Sequence, residues 1–393
     1  MNYRRIFLLS SFLILLLTSL LSQNIYILVL FSVLAWGLVP FDKYWDSRSI
    51  LLLLFSFFYA IVIILEGRVK SGFLTISYLI TPCIFYRLGN YIISEYHREE
   101  QRMKLLLFIS TSFLFSTFIL TIIDISVVGL VNTDRTLLGT SSTDDAMAAT
   151  LYGLMTSVGI GCLGGVFANR SSIIVRISFA VISFMSLLVV VHLVNRTGLV
   201  LFIVCILVIL LYKTNYSLHK FLPLFLILLI SMVVLFKSGI IDSSILDAYS
   251  SREDNYNYGL STAGGRTELW LHSIKELIVN PFGWEQSHYA HNLWLDVARV
   301  GGWFALIPFF ILTCQMLTCF LKLLRTPYSD FNLLIITMNV STLLAASMEP
   351  VIEGSILFFS LLMFLWGVSY RIQKEEHYRI VNSLRNLMNQ FLY

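Results

Sequence analysis

The stretch RRIFLLSSFLILLLTSLLSQNIYILVLFSVLAWGLV, Arg4 to Val39, decides the fold. An apolar run from Ile6 to Leu21 is followed, after only Ser22, Gln23 and Asn24, by a second run. Each is near the ~20 residues a helix needs to cross ~30 Å of hydrocarbon, and so short a break leaves room only for one helix out and another straight back. Arg4 and Arg5 ahead of an apolar run also begin a cleavable signal peptide. No small-residue cleavage site follows, so the run is read as a retained first span.

The same pattern continues along the chain. Spans are expected at 6–22, 25–41, 49–65, 72–93, 105–123, 146–168, 172–192, 198–212, 221–237, 290–321, 331–348 and 354–370. Composition agrees: 57% of the residues are hydrophobic, 13% are charged and the mean hydropathy is +0.81, whereas soluble domains carry roughly 25% charged residues. No segment is left for a large soluble domain. The expected class is an all-α integral membrane protein of about twelve transmembrane helices. Residues 1–237 hold nine of them, 238–289 form one large extracytoplasmic loop with a short interfacial helix, 290–370 hold three more, and 371–393 form a cytoplasmic amphipathic tail.

Most of the 27 lysines and arginines fall on one side of this topology, among them Arg98, Arg102, Lys104, Lys213, Lys220, Lys322, Arg325 and Arg371. Basic residues accumulate in cytoplasmic loops, so both termini are expected in the cytoplasm. The net charge of +4 is thus a topology signature and no sign of nucleic-acid binding. Cys83, Cys162, Cys205, Cys314 and Cys319 lie inside apolar runs without metal-ligand spacing, which argues against a disulfide framework.

Residues suited to chemistry gather on the outer side. In RTELWLHSIKELIV, Trp270, Ile274, Leu277 and Ile278 share a helical face, and Asn280 and Pro281 end the helix. Arg266 stands just before it, with Thr267 as N-cap and Gly264 and Gly265 ahead, a combination suited to phosphate; a solvated loop arginine is the plain alternative. Arg196, in HLVNRTGL, and Arg135, in NTDRTLLG, are further cations on a side from which cations are depleted, although an arginine at a span end also snorkels to headgroups. Forked guanidinium donors bind pyrophosphate better than an ammonium does.

SHYAHNLWLDVARVGGW opens a long helical pattern from Ala290 to Leu321, about 48 Å at ~1.5 Å rise, which must tilt strongly or project outward. His291 stands on its first turn. Asn292, Asp296 and Arg299 continue a polar stripe, either functional or a structural Asp296–Arg299 pair. His288 and His291 lack a third ligand at recognisable spacing, so no metal site is assigned. Glu349 and Glu353 close the pocket, bind sugar hydroxyls, or are solvated loop acids. Trp270, Trp284, Tyr256, Tyr258 and Tyr289 can stack on sugar faces, although interfacial aromatics are common without a ligand.

In their order, R-T-E-L-W at Arg266 to Trp270, N-P-F-G at Asn280 to Gly283, H-N at His291 and Asn292, and Gly301 and Gly302 resemble the O-antigen polymerase and O-antigen ligase superfamily. N-R-T-G at Asn195 to Gly198 is similar to its Ser-Arg-Gly motif, and D-R-T-L-L-G at Asp134 to Gly139 to its earlier arginine-glycine loop. The resemblance runs from about Thr133 to the last span. It departs at Trp284 and Glu285, where many relatives have a further glycine, and at Asp144 and Asp145, where they have Pro-Asn.

The resemblance implies a membrane fold of the GT-C type and a metal-independent glycosyltransferase without a cofactor, in the bacterial inner membrane with its site facing the periplasm. The donor would be an oligosaccharide on undecaprenyl pyrophosphate. The acceptor would be another lipid-linked repeat unit, or lipid A core for a ligase. Membrane lipid and a polysaccharide chain-length regulator are the implied partners. Arg196, Arg266 and His291 would be catalytic, with Arg135, Asn292, Trp270, Trp284, Tyr289 and Glu349 binding substrate. A transporter or flippase is the reading from another class; it predicts broken helices paired across two related halves.

Overall fold

The computed structural model describes residues 24–38, 45–65, 72–135, 137, 145–214, 217, 219, 222–223, 225–226, 266–284, 290–326, 328–352 and 354–391. Among them every regular element is a helix: α1 (Ile25–Leu38), α2 (Ser47–Leu65), α3 (Gly72–Glu95), α4 (Glu99–Val128), α5 (Asp145–Gly161), α6 (Leu163–Val166), α7 (Ile173–His192), α8 (Arg196–Lys213), α9 (Arg266–Val279), α10 (Leu293–Leu324), α11 (Asp330–Met348) and α12 (Ile356–Phe391). Seven are long and apolar enough to cross a membrane: α2, α4, α7, α8, α10, α11 and the Ile356–Arg379 part of α12. The chain is therefore a polytopic helical membrane protein. Of the expected spans, 6–22 lies outside the described residues and 221–237 almost entirely so.

Helices are what such a sequence must form, since lipid offers no partner to backbone N–H and C=O groups. Hydroxyls inside the spans obey the same constraint and bond back to their own helix, as Ser32 does to the Leu28 carbonyl, Thr121 to Thr117 and Thr313 to Phe309.

Among the described residues the helices form two groups. In one, α12 packs along α3, and α2 lies between α3 and α10. In the other, α5 and α7 pack together with α4 against α7. The span α11, which carries several Ser, Thr and Asn residues, joins them. Its Ser341 hydroxyl donates to the Ser157 carbonyl of α5 at 2.7 Å and its Thr337 hydroxyl to the Gly161 carbonyl at 2.6 Å. On its other side the Asn339 amide donates to the Ser369 hydroxyl of α12 at 2.9 Å. With little hydrophobic drive between helices in lipid, such bonds and close small-residue contacts hold a bundle together. A strut fastened on both sides has a well-defined end, and that end carries Glu349.

The long helix α10 departs from expectation. It neither runs straight nor simply tilts: at Gly302 the backbone leaves the helical region, at φ 57° and ψ −155°. The remainder, Trp303 to Leu324, is 22 residues, about 33 Å at ~1.5 Å rise, enough to cross by itself. The first part, Leu293 to Gly301, is thereby freed to meet the bundle end at its own angle.

Candidate functional site

Glu349 follows the last turn of α11, is 4% exposed, and gathers residues from three other places in the chain. Its Oε1 accepts the Thr197 hydroxyl, from the first turn of α8, at 2.9 Å and the Arg266 Nη2, from the first residue of α9, at 3.1 Å. Its Oε2 faces the His291 Nδ1 at 3.7 Å, longer than a hydrogen bond. Burial alone would push this carboxyl up, but His291, the Arg266 guanidinium and the Thr197 hydroxyl outweigh it and hold the group below the usual glutamate value. Glu349 is accordingly an ionised, buried anchor.

Its partners Arg266 and His291 are less enclosed: their side chains are 25% and 31% exposed. The His291 Nδ1 is sealed from solvent, so the open part of the ring lies on the other side, with Nε2. A carboxylate opposite Nδ1 favours the tautomer that carries its hydrogen there, which leaves Nε2 a lone pair pointing outward.

That presentation is enforced by the backbone. His291 has φ 52°, a left-handed conformation costly for a non-glycine residue. Asp296 accepts the N–H groups on either side of it, from Ala290 at 2.9 Å and Asn292 at 3.3 Å. The Trp270 indole N–H donates to the Ala290 carbonyl at 2.8 Å. The Asn292 side chain accepts from Trp294 and Leu295 as the N-cap of α10, and its amide donates to the Ser347 carbonyl at 3.2 Å. Strain of this kind persists only where the surroundings over-determine it, and it concentrates at functional sites.

Asn280 to Trp284 explains the bend in α10. The Trp303 N–H, which the break deprives of its helical partner, donates to the Pro281 carbonyl at 2.9 Å, and the Trp284 N–H donates to the Arg299 carbonyl at 2.9 Å. The loop thus plugs the broken helix and fixes α9 beside α10, with Arg266 at the far end of α9. A side chain at Gly302 would run into Pro281 and Phe282, and its dihedrals lie near a region open essentially to glycine. Gly302→Ala is therefore expected to destabilise the protein by at least ~1–3 kcal/mol, read as a lower melting temperature of the purified protein in detergent.

Arg196 is half-buried, immediately before Thr197, as the first residue of α8. The Asn195 side chain caps that helix, accepting the Gly198 N–H at 3.0 Å. Arg135 lies against the turn leading into it, its Nε donating to the Leu193 carbonyl at 3.4 Å. Among the described residues only three non-glycine positions have positive φ, namely Arg135, Val194 and His291. All three border this region.

The structure thus brings Arg266, His291 and Glu349 into contact, with Arg196 adjacent and Arg135 on the neighbouring turn. It gives three others structural contacts. Trp284 is 5% exposed and packs with Leu277 and Ala298, so its ring is not offered to a sugar. Trp270 and Asn292 also hold the His291 turn. Arg266 begins α9 instead of preceding it, and Thr267 is an exposed residue of its first turn rather than the cap. On the same helix Leu277 is buried, whereas Ile274 and Ile278 are exposed. Asp296 and Arg299 stand 3.8 Å apart, and Asp296 serves the turn. Tyr289, His288, Tyr256, Tyr258 and Glu353 lie outside the described residues.

Sequence reading passed over Thr197, although it stands inside the quoted N-R-T-G, and it passed over Asp124, an acid at the end of an apolar run. A scan against protein-family models matches none, and a search of the curated proteins finds no match.

Proposed function

We propose that the chain is a metal-independent membrane glycosyltransferase, a polysaccharide polymerase of about twelve spans and GT-C-like architecture. It transfers a glycan from undecaprenyl pyrophosphate to a sugar hydroxyl of another lipid-linked repeat unit. The observation that carries the reading is the meeting of Arg266 and His291 on buried Glu349 at one end of the bundle, with Arg196 next to it. Arg196, Arg266 and His291 come from the segments whose order resembles the O-antigen polymerase and ligase superfamily. The charge asymmetry of the loops supports reading that end as extracytoplasmic.

The acceptor hydroxyl oxygen attacks the anomeric carbon while the bond from that carbon to the pyrophosphate oxygen breaks. The hydroxyl proton passes to the His291 Nε2, and the bonding electrons leave with the pyrophosphate. Negative charge therefore grows on the leaving group, where Arg196 and Arg266 stabilise it. Arg266 has N–H donors beyond the Nη2 that Glu349 engages. The transporter reading draws no support from α10, whose break is filled by the backbone of the Asn280–Trp284 loop.

The test is polymer synthesis by the purified protein from a lipid-linked repeat unit. Arg196→Lys and Arg266→Lys are each expected to lose at least about tenfold, nearly as much as the alanine variants, because an ammonium cannot reproduce a forked contact. Full activity in both lysine variants would reduce these arginines to interfacial anchors. In cells, deletion is expected to leave single-repeat caps on the lipopolysaccharide, whereas accumulation of free lipid-linked polymer would instead mark a ligase.

A further inference from the structure

A second buried cluster lies at the same end of the bundle, and the proposed reaction does not use it. Asp124, near the end of α4, and His192, the last residue of α7, are 1% and 0% exposed, with the His192 Nε2 at 2.7 Å from the Asp124 Oδ2. The His192 Nδ1 lies 3.0 Å from the Leu130 carbonyl. A carbonyl only accepts, so Nδ1 carries a hydrogen, and a single proton must serve the contact between Nε2 and Asp124. Asp124 Oδ2 also accepts the Asn132 amide at 2.8 Å, and the Asn132 N–H donates to the His192 carbonyl at 2.8 Å. The loop leaving α4 is thus fastened to the end of α7 through both side chain and backbone.

Two strained residues follow directly from this clamp. Arg135, at φ 61°, continues the fastened loop, its N–H donating to the Asn132 carbonyl at 3.3 Å. Val194, at φ 49°, comes two residues after His192 and just before the Asn195 that caps α8. A β-branched residue at positive φ is a marked outlier and requires firm support on both sides. The clamp supplies that support, and it stands between the two arginines: Arg135 on one strand of the clamp and Arg196 at the end of the other.

We propose that Asp124 and His192 are positioning residues that set where Arg135 stands relative to Arg196. Resting on the glycosyltransferase reading, this assigns the pair to donor pyrophosphate binding and not to the chemical step. Neither side chain reaches a ligand. Breaking their contact frees the 129–135 loop and moves the Arg135 guanidinium away from its partner arginine.

The experiment uses the full chain in nanodiscs, with Asp124→Asn as a near-isosteric change and Asn132→Ala as a variant that leaves the buried pair intact. Hydrogen exchange over residues 129–135 is expected to quicken about tenfold in both, in line with the loss of one buried hydrogen bond. With a lipid-linked pyrophosphate donor, KM should rise by about the same factor while kcat stays within about threefold. Adding Arg135→Ala to Asp124→Asn should then change KM little further, since coupled residues are not additive. Unchanged exchange in both variants overturns the clamp. Faster exchange with KM effects that multiply overturns its role in placing Arg135. If Arg135→Ala alone leaves KM at the wild-type value, the role of Arg135 in the reaction fails, and the exchange data still decide whether the clamp exists.

Discussion

His291→Ala is expected to lower polymer formation by ~10²–10⁴-fold, the range that a positioned general base contributes, while leaving expression and donor binding intact. The expectation rests on presentation. One ring nitrogen is enclosed opposite Glu349, the other side of the ring is open, and six hydrogen bonds made by the Asp296, Trp270 and Asn292 side chains hold a strained backbone for a single outward-facing group. At 3.7 Å the Glu349 contact is long, but catalytic hydrogen bonds commonly tighten only once substrate is bound. His291→Asn separates chemistry from folding. Asparagine tolerates the left-handed conformation that alanine resists, so it should melt like the wild type and be as inactive as the alanine variant. A purified His291→Ala protein that extends a lipid-linked acceptor at the wild-type rate would remove the base. Loss of wild-type activity in EDTA, restored by a divalent metal, would remove the metal-independent mechanism.

Much of the architecture was legible because lipid imposes a simple code. An apolar run of sufficient length has to become a helix, and the expected 49–65, 172–192 and 331–348 meet Ser47–Leu65, Ile173–His192 and Asp330–Met348 within about two residues. What escaped reading depends on contacts between distant segments. Gly301 and Gly302 look like the small residues common in any span, and only the Pro281 carbonyl arriving from outside the helix turns Gly302 into a bend. An interfacial tryptophan such as Trp270 suits a sugar platform, and nothing local reveals that its indole N–H also holds the Ala290 carbonyl, 20 residues on. Arg266 and His291 stand out in the sequence because charge is expensive near a membrane. Their common point, Glu349, was a loop acid among alternatives, since nothing local reveals that Thr197 bonds it across 152 residues.

Glu349→Gln carries the second largest expected effect, roughly 10–100-fold in kcat, the cost typical of losing the carboxylate that orients a functional imidazole. Glutamine keeps the size of the side chain and an acceptor for the Thr197 hydroxyl. It loses the charge that faces His291 and Arg266, so Nδ1 no longer has a reason to hold its hydrogen and the outward lone pair on Nε2 is no longer assured. Stability gives an independent readout with a definite sign. The folded protein holds Glu349 below the ordinary glutamate value of 4.5, so the unfolded chain binds a proton at that carboxyl more readily than the folded one. The resulting stabilisation is fully present above that ordinary value and is lost as pH falls through the lower folded value. Wild type should therefore melt above Glu349→Gln by a constant margin at neutral pH. The margin should close only under acid conditions, because glutamine has no proton to gain. A margin that is constant through acid pH, or absent at neutral pH, would mean that Glu349 is not the ionised anchor on which Arg266 and His291 are set.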